Sequence, residues 1–187
     1  MTWLVIIIVV LIVLIGIMYV VGFNKLRKQD VAAEEALGGI DVQLTRRADL
    51  IPNLVNTVKG YASHESGVFE AVTQARAGVQ KAAKDGTVPE KAAAQAALDH
   101  AVLNVMAVAE SYPDLKASAN FLQLQSQLSE TENQLAFARQ YYNDAVSQLN
   151  TSVSTIPWMF FAGPTGVKKR EFYEAPAGQE APPTVQF

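Results

Sequence analysis

The chain has two histidines, and each stands beside a carboxylate, as His64-Glu65 and Asp99-His100. His64-Glu65 opens like the zinc-binding pattern H-E-x-x-H, which needs its second histidine one helical turn further on. Residue 68 is a valine, so that ligand is missing. Histidines on separate helices can meet carboxylates inside a bundle, but di-metal centres of that kind are built from E-x-x-H pairs, and none occurs here. Phosphate-binding G-x-x-x-x-G-K-[ST], the G-x-S-x-G elbow and a Gly-rich dinucleotide loop are also missing. With no cysteine there can be no disulfide, thiolate metal site or thiol nucleophile. These residues predict a non-enzymatic protein with no catalytic residues, metal or cofactor. Hydrolysis by His64 and Glu65 is the remaining chemical alternative.

Polar residues are instead concentrated in two places. Asp41, Gln43, Arg46, Arg47, Asp49, Asn53, Asn56, Lys59, His64 and Glu65 gather where two helices are expected to join. Glu130, Glu132, Asn133, Arg139 and Asn143 lie on a later helix. Glu132 and Arg139 are two turns apart, so both can reach one neighbouring helix. Two readings follow: interhelical pairs that fix register, or a surface that binds a ligand or protein partner.

The 187 residues suffice for one compact domain and little more, and 15 basic against 18 acidic side chains lack the excess that nucleic-acid binding requires. The charge is unevenly spread, because none precedes Lys25. Trp3 to Phe23 is an uninterrupted apolar run whose helical length of ~30 Å matches a bilayer's hydrocarbon core. Trp3 at one end and Tyr19 and Phe23 at the other suit the two interfaces. A cleaved signal would carry a basic start and a small-residue cleavage site. Here the basic residues Lys25, Arg27 and Lys28 follow the run, which predicts a retained anchor with its N-terminus outside and the remainder cytoplasmic.

Beyond the anchor, apolar residues recur at three and four, the helical period. A first cytoplasmic helix carries Leu26, Ala33, Leu37, Ile40 and Leu44 and continues the anchor, with a kink expected at Gly38-Gly39. Asp49 reads as an N-cap and Pro52 as a first-turn proline, so a second helix is expected from 50 to Asp85-Gly86. Its ~52 Å exceeds the ~36 Å of residues 25–48, which calls for a tilted bundle or a bend near Gly78. Thr87-Val88-Pro89-Glu90 is a capping box opening a third, alanine-rich helix that ends before Tyr112-Pro113-Asp114. Phe121, Leu124, Leu128, Thr131, Leu135, Ala138, Tyr142, Ala145, Leu149 and Ser152 alternate steps of three and four, a coiled-coil-like seam predicting one long helix near 118–153.

The predicted fold is all-α: a transmembrane helix (1–24), an antiparallel four-helix bundle with long helices (25–156), and an aromatic and basic segment with a flexible Pro-rich tail (157–187). In such a bundle the end of the fourth helix returns towards the anchor. Trp158, Phe160, Phe161, Lys168, Lys169 and Arg170 are then candidate membrane-surface contacts, with capping of the bundle end as the alternative.

At this point the sequence resembles the LemA family. The likeness is carried by Ile40-Asp41-Val42-Gln43-Leu44, Arg46-Arg47, Asp49-Leu50-Ile51-Pro52-Asn53-Leu54-Val55, Val58-Lys59-Gly60-Tyr61-Ala62 and His64-Glu65. Further on it includes Tyr112-Pro113-Asp114-Leu115-Lys116, Asn120-Phe121, Thr131-Glu132-Asn133, Ala138-Arg139 and Tyr142-Asn143. It runs from the anchor to about Tyr173. Departures are Leu37, where the family often has Trp, Gly38-Gly39 in place of better helix formers, and Leu149 for a Tyr before Asn150. The resemblance implies a bacterial single-pass inner-membrane protein with a four-helix cytoplasmic domain, and supplies no reaction. The expected function is a scaffold or assembly protein whose partners are the lipid bilayer, further copies of itself and other membrane proteins. A receptor or adaptor domain using the polar junction is the alternative.

Overall fold

A computed structural model describes residues 1–174, and all regular structure among them is helical. The elements are α1 (Thr2–Lys59), α2 (Ser66–Asp85), α3 (Val88–Glu110), α4 (Pro113–Lys116), α5 (Ala119–Ser154) and α6 (Met159–Thr165). The expectation of a flexible Pro-rich tail falls, from residue 175 onwards, outside the described residues. The chain divides into two compact units. One comprises Met1–Leu37 with Tyr141–Phe172, the other Gly38–Gln140 with the chain from Tyr173.

The largest departure from expectation is α1. The expected helix boundary at Asp49 does not exist: α1 runs on through Gly38-Gly39 and Pro52 to Lys59. The reason lies in its buried stripe. Leu26, Ala33, Ala36, Ile40, Leu44, Arg47, Ile51, Leu54 and Val58 are all buried and stay in helical phase across the supposed break. Pro52 sits on the exposed side and has no N–H, so the carbonyl four residues back, on Ala48, loses its helical donor. Arg76 of α2 supplies a replacement, its Nε donating to Ala48 O at 3.0 Å. Packing, together with this substitute donor, overrides a local start signal.

The chain turns only at 60–65, where Tyr61 and Ala62 N–H both reach Val58 O and α2 begins at Ser66. The anticipated long second helix is therefore the end of α1 plus a separate 20-residue helix. That removes the length mismatch, and α2 is one unbroken helix through Gly78. The capping box is formed as expected, with Glu90 Oε2 accepting from the Thr87 backbone N–H at 2.7 Å and its hydroxyl at 2.9 Å. Those bonds hold the Glu90 carboxyl below the usual range. The long helix predicted near 118–153 is α5, and Tyr112-Pro113-Asp114 opens the one-turn α4.

In the first unit, Thr2 to about Val21 exposes its apolar side chains, and the mean hydropathy of the most apolar window is 3.5 with none of it buried. Helix α3 is also long and apolar enough to cross a membrane, but it is partly buried in the second unit and bears Lys91 and Gln95 on its covered side. Phe161 of α6 lies against α1, edge-on to Tyr19 with ring centroids 5.9 Å apart. Gly22 makes room for it: a Cβ there would overlap the Phe161 ring. Lys25 Nζ stands 4.3 Å above the Trp158 ring, a cation–π contact. After α6 ends at Gly166 (φ 69°), the chain is strapped down again. Asn150 brackets the Arg170 backbone at 2.9 Å on each side, and Tyr142 donates to Glu171 O at 2.8 Å. The Arg170 side chain pairs with Asp30 at 2.8 Å and Glu34 at 3.6 Å.

In the second unit, the end of α1, α2, α3 and the start of α5 share a core of Ile40, Leu44, Ile51, Leu54, Val58, Phe69, Val72, Val79, Leu98, Val105, Phe121 and Leu135. Side-chain bonds join α1 to α2, α3 and α5 around this core. A double-mutant cycle tests the account of Pro52. Arg76→Leu should cost about 1–2 kcal/mol, because it orphans the Ala48 carbonyl. In a Pro52→Ala background the restored N–H should reduce that cost by half or more. Urea unfolding of the detergent-solubilised protein followed by circular dichroism reads both, and equal costs in the two backgrounds would refute the substitution.

Candidate functional site

Position 47 falls on the buried stripe of α1, where the period asks for an apolar residue, and the sequence places an arginine there. A buried guanidinium must be neutralised or its desolvation is uncompensated. Two carboxylates meet it. Arg47 Nη1 pairs with Asp99 of α3 and with Glu132 of α5, the latter at 2.5 Å. Glu132 also takes Arg139 at 3.2 Å, so one carboxylate joins two arginines. One side chain of α1 thereby ties down two further helices.

A second tie lies along α1. Lys91 of α3 is 3% exposed, and its ammonium reaches Asp41 at 2.5 Å and Ala83 O at 2.9 Å. Ala83 is in the last turn of α2, where carbonyls lack helical donors, so Lys91 closes that helix as well as pairing with α1. Gln95, one turn beyond Lys91, accepts from the Tyr173 hydroxyl at 2.9 Å and bonds Asp99 through its side chain. The result is a connected polar seam: Tyr173, Gln95, Asp99, Arg47, Glu132, Arg139.

The electrostatics follow from this enclosure. Burial pushes the Asp99 carboxyl above its ordinary range; Arg47 pulls it back and Glu132 pushes it up further. The Tyr173 hydroxyl is driven upward mainly by burial, with Arg139 acting against the shift. Tyr142, in the first unit, is raised for the same leading reason.

The polar residues anticipated from sequence separate cleanly. Arg47, Glu132 and Arg139 join the seam, and Asp41 belongs to the second tie with Lys91. Arg46 is exposed and bonds Gln134 at 3.4 Å. Asp49, Asn53 and Asn133 are exposed on the helices. Lys59 lies 5.5 Å above the Phe69 ring. His64 and Glu65 belong to the turn at 60–65, so most of the set lies along α1 rather than at the junction originally expected. Asn143 is in the first unit, part-buried. Among the described residues, no three or more His, Cys, Asp or Glu side chains are grouped to hold a metal ion. His100 is exposed, 3.4 Å from Asn104.

Sequence reading missed Lys91, Gln95, Asp99 and Tyr173. A signal for the first two existed: Lys91, Gln95, Leu98, Val102, Val105 and Ala109 alternate steps of four and three, and all are buried. An equally periodic neighbouring series of alanines and valines on the same helix masked it.

The family match covers residues 36–187 and is to the model described as the LemA family. The chain belongs to the LemA family. The matched region starts beyond the apolar run and extends past Tyr173, so it is shifted relative to the likeness read from the motifs. Magnetosome protein MamQ 2 of Paramagnetospirillum magneticum is 28% identical over 162 residues, covering 74% of this chain and 60% of the relative. Magnetosome protein MamQ of Magnetospirillum gryphiswaldense is 25% identical over 170 residues, 78% of this chain and 62% of the relative. Protein LemA of Metamycoplasma hominis is 27% identical over 144 residues, 75% and 65% respectively. The chain thus spans about three-fifths of the length of the curated relatives it matches.

Removing one member of a buried pair costs about 3–5 kcal/mol, against about 0–1 kcal/mol for an exposed one. Arg47→Gln should therefore destabilise the LemA-family fold severely, and Arg46→Gln should be close to neutral in urea unfolding. Asp99 gives a pH test. Its folded-state pKa is raised, so its contribution is full below the unfolded value of about 3.9 and is lost as pH rises through the folded value. Compared with wild type, Asp99→Asn should flatten the fall in stability above pH ~4. A parallel pH profile in the two proteins would rule out the assignment.

Proposed function

We propose that this chain is a single-pass membrane protein whose N-terminal helix holds a cytoplasmic helical body, and that the body acts as a non-enzymatic scaffold that assembles with other copies of itself. The observation that carries this reading is α1. A fully exposed apolar segment of bilayer-spanning length and a buried, charge-tied core segment belong to one uninterrupted helix. The exposed apolar part has no use in water, and the helix that bears it is built into the folded body without a linker. Lys25, Arg27 and Lys28 follow the apolar run, which supports a cytoplasmic body.

The seam supports contact rather than chemistry. Arg47 pairs with Asp99 and Glu132, and Lys91 with Asp41, across helices, which suits an antiparallel four-helix arrangement of α1, α2, α3 and α5 held in fixed register. Leu103, Leu122 and Phe137 of the second unit are large, apolar and exposed, and offer material for association with other copies. Confinement to a membrane raises the effective concentration at which such surfaces meet.

The adaptor reading retains one observation. Asn53, Asn56, Asn120, Gln123 and Gln127 line a shallow amide-rich depression on the second unit, suited to a polar peptide segment. Asn53→Ala with unchanged stability and loss of a defined partner would favour it.

The full-length protein should remain in membrane pellets after alkaline carbonate washing. In detergent, light scattering should give a multiple of the 20.3 kDa chain mass once micelle mass is subtracted. Release by carbonate would remove the anchor, and a strict monomer at membrane-like concentrations would remove the assembly.

A further inference from the structure

The stretch around α6 splits its aromatic residues between two directions. Phe161 is buried against Tyr19 and Gly22 of α1. Its neighbours are not: Ile156 is 74% exposed, Phe160 67% and Met159 43%. Three large apolar side chains within five residues form an unfavourable patch in water. The Phe161 contact sets their position along α1, level with Tyr19 and Gly22, where the apolar run gives way to Lys25, Arg27 and Lys28. On the membrane-anchored reading, on which this inference rests, that level is the interface between hydrocarbon and headgroups.

The charges of the same unit are sorted in a matching way. Arg170 is held by Asp30 and Glu34, and Arg27 pairs with Asp30 at 3.4 Å. Lys25 is over Trp158. Lys28, Lys168 and Lys169 are exposed and have no carboxylate partner among the described residues. The acids Glu35, Asp144 and Glu171 of the same unit are exposed and likewise make no ion pair among the described residues, so they balance the three lysines, and what matters is where the lysines lie. Phe161 places the apolar side chains near Gly22, and the Arg170–Asp30 pair places Lys168 and Lys169 about two helical turns further along α1. Exposed apolar side chains followed by lysines on the far side from the apolar run are what an amphipathic contact with an anionic leaflet requires.

We propose that Ile156, Met159 and Phe160, flanked by Lys28, Lys168 and Lys169, form a membrane-embedded foot that beds into the anionic headgroup region of the leaflet that α1 crosses. Continuity with the α1 apolar run selects lipid as the occupant over a protein partner, since the patch lies at the end of that run, beside Tyr19 and Gly22. The foot gives the unit a second hold on the bilayer, beside the single helix.

The cysteine-free chain allows single-site spin labelling of the full-length protein. Phe160→Cys, Ile12→Cys and Lys84→Cys variants, each carrying a nitroxide, are reconstituted into phosphatidylcholine vesicles with and without phosphatidylglycerol; Lys84 is an exposed position of α2. Collisions with oxygen and with a water-soluble nickel chelate report depth. The labels at 160 and 12 should favour oxygen, and the label at 84 should favour nickel. With phosphatidylglycerol present, replacing Lys168 and Lys169 by Gln should lower the immersed-to-solvated ratio at 160 by about fivefold per lysine. Without it, the replacement should have no effect.

A label at 160 open to nickel while that at 12 is shielded would overturn the foot and leave the anchor standing. Nickel access at 12 as well would overturn both. Spin–spin broadening at 160 that disappears on dilution with unlabelled protein would assign the patch to a second copy and overturn the lipid assignment. An unchanged ratio after lysine replacement in anionic vesicles would overturn the headgroup part.

Discussion

A guanidinium enclosed among helices sets the terms for the rest of the second unit. Arg47 occupies a seam position that an apolar residue would fill at no electrostatic cost, so the fold must deliver anions to it. Asp99 and Glu132 come from different helices, and each fixes the rotation of its own helix about its axis. Once Asp99 faces Arg47, the period of α3 turns Gln95 and Lys91 to the same side, and they in turn engage Tyr173, Asp41 and the end of α2. Apolar packing provides most of the driving force for burial, but it is tolerant of sliding. Paired charges are not, and they select one register from the several that an alanine-rich interface would accept.

Helix α1 shows how tertiary structure settles a local conflict. Asp49 and Pro52 are start signals by every local rule, and the expected helix boundary followed from them. The buried stripe kept its phase through the proline, and the one carbonyl left without a donor was reached by Arg76 from another helix. The real turn falls at 60–65, between the end of α1 and the start of α2. The local signals were genuine and were outweighed.

Much of the architecture was legible for this reason. Periodicity alone located α5 to within a residue or two, Thr87-x-x-Glu90 marked the start of α3, and the charge-free run identified the exposed N-terminal third of α1. The polar seam was only half legible. Arg47, Asp41, Glu132 and Arg139 were visible as unexpected charge within helical patterns. Their partners Lys91, Gln95 and Asp99 were hidden, because α3 is so rich in alanine that two phases of its helix look equally apolar. Tyr173 could not have been found from local pattern, since it is brought to Gln95 by a non-helical segment whose path no periodicity encodes.

The notch at Gly22 carries a mechanical consequence. An aromatic ring seated against bare backbone blocks α1 from rotating about its long axis or sliding past α6 without ejecting the ring. A smooth helix is a free axle; this one is keyed. Torque applied at its N-terminal end would pass to α6 and the strap behind it instead of dissipating as spin.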